Sequence, residues 1–152
     1  MELSVTSIQP QEASNKSRKN NSQKSSRSQK QIRALLSIKP PYADAIFKGQ
    51  KRFEFRRAIF RRNVDVVVVY STSPTCEVVG EFDVTEVISD SVEDLWARTH
   101  HHAGINREGF FNYFKGRRCG YAIAIGRVRK YKQPLQLDDT FGVRAPQSFI
   151  YI

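Results

Sequence analysis

The sequence predicts an α+β domain: a small, partly closed β-barrel flanked by about three short helices. Three observations predict it. Segments with the apolar pattern of a strand outnumber those with the pattern of a helix, and the two do not alternate one for one, as a doubly wound sheet would require. Four consecutive valines, Val66 to Val69, leave no polar side to show to water and so read as a strand covered on both faces. Gly80, inside a longer apolar run, marks a bulge or corner of the kind that bends a sheet toward closure.

With 152 residues, of which 10 are Phe, 6 Tyr and 1 Trp, the chain has material for one domain and one core. Residues 1–31 stand apart. They hold five apolar residues and no aromatic one, and Ser, Asn, Gln and Lys dominate from Ser14 onward, so they bury too little surface to offset ordering entropy. The expectation is a disordered basic tail over 1–31 and a folded domain over 32–152.

Within that domain, Leu35, Leu36 and Ile38 make a short first strand, and Pro40 with Pro41 opens a helix. Ala43, Ile46 and Phe47 share one face of this helix, which ends near Lys48 with Gly49 as a left-handed cap. In KRFEFRR, Phe53 and Phe55 point to one side of a strand and Arg52, Glu54 and Arg56 to the other. Asp65 to Ser71 is the central strand. Glu77 to Ile88 follows as a longer one, with Phe82, Val84, Glu86 and Ile88 on a common face.

Ser91 and Asp94 have the spacing of a capping box before Leu95 and Trp96, which predicts a short helix to about Thr99. Another helix starts near Asn106, presents Phe110, Phe111 and Phe114, and stops at Gly116. A strand from Cys119 to Val128, a connection containing Pro and Asp, and a last strand from Ser148 to Ile152 complete the chain.

The net charge is +10, and the folded part keeps 19 basic against 13 acidic residues, so a positive field surrounds the domain itself. Such a field attracts RNA, DNA or other phosphate-bearing partners. No apolar run approaches the roughly 18 residues that cross a bilayer, so no membrane partner is expected. Cys76 and Cys119 are too few for a disulfide framework, which predicts free thiols in a reducing, cytoplasmic compartment. His100, His101 and His102 are consecutive and cannot all face one ion from a helix, so no metal site and no cofactor is expected.

The densest chemistry lies in residues 37–57, SIKPPYADAIFKGQKRFEFRR, where a strand, a helix and a strand gather Lys39, Tyr42, Lys51, Glu54, Arg56 and Arg57 around one turn. A carboxylate flanked by cations can accept an N–H from a base edge while the cations contact phosphate, and a tyrosine can stack on the base. The structural alternative is that Glu54 and Arg56 merely satisfy each other and Tyr42 packs on its helix. A second basic group, Arg117, Arg118, Arg127, Arg129, Lys130 and Lys132, is interleaved with Tyr121 and Tyr131, a mixture that suits single-stranded RNA or a charged sheet edge equally.

The order Gly49, Lys51, Glu54, Arg56 resembles the signature of the ASCH family of PUA-like domains, and the likeness extends through VVYSTSPTCEVVGEF, LWARTHHHAGINREGFFNYFKGRRCGYAIAI and APQSFIYI. The resemblance implies a small mixed, mostly antiparallel β-barrel with a cleft beside Lys51 that holds RNA or a modified nucleoside, and it brings Gln147 and Ser148 to that cleft. It also implies an enzymatic alternative with Lys51 and Glu54 as catalytic groups. One branch resembles amidohydrolases acting on N4-acetylcytidine through a lysine matched by Lys51, although that branch has threonine where this chain has Glu54. Ribonuclease activity is associated with other members.

Overall fold

A computed structural model of the chain describes residues 29–152. The expected tail therefore lies, through residue 28, outside the described residues. The remainder forms one six-stranded sheet that curls into a half-barrel, with four short helices around it.

The first strand, β1 (Arg33–Ile38), leads into α1 (Pro40–Phe47), whose prolines occupy the first helical positions. Their missing N–H groups cost nothing there. Gly49, at φ +75°, turns the chain out of the helix and into β2 (Phe53–Arg56). Then come β3 (Val66–Ser71), β4 (Glu77–Ser91), α2 (Val92–Thr99), α3 (Arg107–Tyr113), β5 (Cys119–Leu135), α4 (Leu137–Phe141) and β6 (Phe149–Tyr151). Ser91 accepts the Asp94 N–H at the start of α2, and Asn106 accepts the Gly109 N–H at the start of α3, so both helices begin on a side-chain cap. His100–His102 form a single 3₁₀ turn that ends α2.

The strand order is β2-β5-β4-β3-β1-β6. Only the β1–β3 pair is parallel, with α1 and β2 lying between those strands in sequence. β2 and β6 are the two edges and do not pair, so the barrel has an open seam.

The sheet is covered on both faces, and this changes the expected single core into three clusters. Leu36, Val67, Val69, Phe82 and Ile123 pack with Ile46 of α1 on one face, while Leu35, Val68, Tyr70 and Val78 pack with Leu137 of α4 on the other. The alternation of Val67, Val68 and Val69 thus feeds two clusters at once, which accounts for a run with no polar position. The third cluster joins Phe55, Ile88 and Ala122 to Leu95 of α2 and to Phe110 and Phe114 of α3.

β4 is irregular at Val78–Gly80, Phe82–Val84 and Val84–Glu86. These bulges break the uniform face expected from Phe82 to Ile88. Phe82 enters the barrel cluster and Ile88 the helical one. At Gly80 a Cβ would lie 2.6 Å from the Phe47 ring and 2.5 Å from the Arg129 carbonyl oxygen, so only glycine lets α1 close onto the strand.

Candidate functional site

Where the seam opens, β2 on one side faces the end of β1 and the segment before β6 on the other, and α1 and α3 close the flanks. The result is a cavity of about 740 Å³. Lys39, Tyr42, Lys51, Glu54, Arg56, Arg57, Gln147 and Ser148 all line it, together with Ser37, Phe55, Ile105, Asn112 and Tyr113. Every residue singled out from the sequence for this site therefore meets in one space.

Its floor is charged and almost sealed. Lys51, Glu54 and Arg56 are 3%, 7% and 8% exposed. Glu54 Oε1 lies 3.1 Å from Arg56 Nη2, and Glu54 Oε2 lies 3.7 Å from Lys51 Nζ. Lys51 Nζ donates to the Ala103 carbonyl oxygen at 2.9 Å and sits over the Phe55 ring at 4.7 Å and the Tyr42 ring at 5.3 Å. Burial of its ammonium drives the Lys51 pKa below 10.5; Glu54 pulls it back up and Arg56 adds to the fall. Arg52, expected by alternation on the same side of the strand as Glu54 and Arg56, is instead exposed, and its backbone N–H donates to the His102 carbonyl oxygen.

Arg56 spans the seam. Its Nη2 donates to the Ser37 carbonyl oxygen of β1 at 2.9 Å, while its Nε–H is buried without a partner. A buried donor left unmade costs about 1–3 kcal/mol, so the floor of the site carries an unsatisfied polar group. Ser37 Oγ donates to the Pro146 carbonyl oxygen, which ties the segment bearing Gln147 and Ser148 to β1.

The rim is more open. Lys39, Arg57 and Gln147 are exposed, and Tyr42, Tyr113 and Ser148 are half-buried. Arg57 donates from Nε to the Tyr113 carbonyl oxygen and stacks over that residue's ring at 4.8 Å. Tyr113 donates to the Phe55 carbonyl oxygen, and burial pushes its phenol above the usual value, which keeps it neutral.

Sequence reasoning missed the contribution of α3 and the turn before it. Phe110, Phe111 and Phe114 drew attention as an apolar face, but Asn112 and Tyr113 stand on the flank that meets the cavity, and the Ala103 carbonyl is backbone with no side-chain signature. The second basic group divides differently from its appearance in sequence. Arg127 and Arg129 bind Asp83 and Glu81, and Tyr131 donates to Glu81, so these residues form an ion network across β4 and β5. Cys76 and Cys119 are free and exposed. Among the described residues, no group of His, Cys, Asp and Glu could hold a metal ion, and no helix is long and apolar enough to cross a membrane.

A half-barrel with a charged cavity at its seam and this lysine, glutamate and arginine on the floor defines the class. The sequence model of the ASCH domain matches residues 36–138. The chain belongs to the ASCH domain family.

Among similar proteins, the ATP synthase subunit alpha of Ureaplasma parvum serovar 3 is 29% identical over 119 residues, 78% of this chain. The chain spans only 15% of that protein's length, so the likeness is confined to one segment of it. An ASCH domain-containing ribonuclease of Zymomonas mobilis subsp. mobilis is 29% identical over 124 residues, covering 78% of this chain and 83% of that protein. The crystal structure of ASCH from Zymomonas mobilis superposes with a TM-score of 0.73 at 26% identity, over 79% of this chain and 87% of that one.

Proposed function

We propose that this chain binds RNA by drawing one nucleotide of a single strand, ordinary or modified, into the seam cavity. The observation that carries the reading is the lining of the cavity: the Glu54 carboxylate and the Lys51 and Arg56 cations share one space with Tyr42 and Tyr113. A nucleobase presents donors and acceptors together on one edge and a flat apolar face, so it suits both kinds of group at once. Lys39 and Arg57 at the rim supply phosphate contacts, with Gln147 and Ser148 as polar contacts opposite.

The test is a titration with a short single-stranded RNA at two salt concentrations. Binding that weakens with salt and falls at least about tenfold in Glu54→Gln and Lys39→Ala/Arg57→Ala is expected. Binding indifferent to these changes sinks the reading. Duplex DNA offered in parallel distinguishes a general polyanion site from one that takes an unpaired base.

A second reading has its own support: the ribonuclease of Zymomonas mobilis that this chain resembles along most of its length. In that reading Glu54 accepts the proton of a 2′-hydroxyl, whose oxygen bonds to the adjacent phosphorus. The bond from phosphorus to the 5′-oxygen breaks, and the Lys51 ammonium, destabilised by burial, protonates the departing oxygen. Cleavage lost in Lys51→Ala and in RNA bearing 2′-O-methyl groups would support it; intact RNA after prolonged incubation with wild type would leave binding alone. N4-acetylcytidine belongs in the same assay, although residues 100–106 offer an amidohydrolase no carboxylate.

A further inference from the structure

The segment joining β2 to β3 carries Arg57, Arg61 and Arg62 and, from residue 55 to residue 64, no acidic side chain. Its arginines are among those of the domain that make no ion pair. Arg33, Arg98, Arg127 and Arg129 each pair with a carboxylate, whereas Arg57, Arg61 and Arg62 are exposed and have no carboxylate partner among the described residues.

Two of these arginines are nevertheless held in place. Arg57 lies over the Tyr113 ring, and Arg62 over the Tyr151 ring at 5.2 Å. Tyr151 also fixes the backbone of the loop, since its hydroxyl oxygen accepts the N–H of Arg61 at 2.9 Å and of Arg62 at 3.2 Å. Phe60 packs edge-on against Phe149, so the loop is anchored to β6 at a second point. A guanidinium stacked on an aromatic face keeps its N–H fork directed outward and loses less freedom when it binds.

We infer that this loop is a phosphate track: it takes the backbone of the same single-stranded RNA as it leaves the cavity, through Arg57 at the cavity rim and then Arg61 and Arg62. The inference rests on the reading of the cavity as a nucleotide site. Arg57 is the joint, because it lines the cavity and also begins the loop. Planar guanidinium forks match phosphate oxygens in pairs, and unpaired arginines enter such contacts without first giving up a carboxylate.

The experiment compares a single nucleotide with a single-stranded RNA of about ten residues, using wild type, Arg61→Ala/Arg62→Ala and Arg127→Ala. The backbone anchors to Tyr151 survive the alanine substitutions, and all three positions are exposed, so the fold is retained. The double variant is expected to hold the mononucleotide as wild type does and to lose about tenfold or more affinity for the longer RNA. Its slope of log affinity against log salt should fall by about 1.4, roughly 0.7 for each phosphate released. Arg127→Ala, which removes one charge from the opposite network, should change neither. If the longer RNA binds the double variant with unchanged affinity and slope while Glu54→Gln weakens both ligands, the track is refuted and the cavity reading stands. If neither ligand binds wild type, both are refuted. If Arg127→Ala weakens the longer RNA as much per charge as the double variant, the arginines act only through net charge and the track is again refuted.

Discussion

Gly104 lies against Lys51 so closely that a Cβ at position 104 would stand 2.5 Å from the Lys51 Cβ and 2.7 Å from its Cγ. The same glycine has φ +63°, and the neighbouring Ala103 carbonyl takes the Lys51 ammonium. One turn of chain therefore both makes room for the lysine stem and fixes its head. The floor of the cavity depends on that turn, because Lys51 in its place is what holds the second oxygen of Glu54.

Gly104→Ala should accordingly be among the costliest small substitutions in the domain. A left-handed alanine costs about 1–2 kcal/mol, and crowding in a packed site adds about 1–3 kcal/mol. A loss of about 2–5 kcal/mol in chemical denaturation is expected. Combined with Lys51→Ala, which removes the Cγ and Cδ of the clash, the double variant should lose less than the two single losses added together.

Lys51 also predicts a pH dependence. Its pKa is lowered in the folded state by burial, so between that value and 10.5 the unfolded chain binds more protons than the folded one. Stability from this group therefore rises with pH across that window. Wild type should gain on Lys51→Met as pH increases toward 10.5 in paired denaturation curves; a gap that moved the other way would contradict a desolvated ammonium.

On the far side of the sheet, Glu81 accepts from Arg33, Arg129 and Tyr131. Burial works against its charge, but the hydrogen bonds from Arg129 and Tyr131, with the Arg33 charge, hold its carboxyl below 4.5. A depressed carboxyl stabilises above its unfolded value and ceases to as pH falls through its folded one. Glu81→Gln should cost about 1–3 kcal/mol at neutral pH, and the difference from wild type should shrink below pH 4.5.

How legible these features were in sequence depended on whether local chemistry or tertiary pairing set them. Pro40 and Gly49 bracket α1 by backbone rules alone, and Ser91 with Asp94 starts α2 in the same way. By contrast, β5 runs on to Leu135, where RKYKQPL has neither alternation nor a strand's composition; its register with β4, Glu81 against Arg129 and Val78 against Leu135, is what makes it a strand. α4 went unread because a five-residue helix leaves almost no periodic signal, although Gly142 at φ +62° closes it as a left-handed cap should. In the site, side chains clustered between residues 39 and 57 were visible as a motif. The seam, the Ala103 carbonyl and the flank of α3 arise only when distant segments meet.

The most direct test of the central claim, that the seam cavity takes an RNA nucleotide, is to map backbone amide shifts during titration with a short single-stranded RNA. The shifts should concentrate at Lys39, Tyr42, Lys51 to Arg57, Asn112, Tyr113 and Ser148, and leave Glu81, Asp83 and Arg129 unmoved. Shifts gathered on the β4–β5 network instead, or no shifts at low salt, would contradict it.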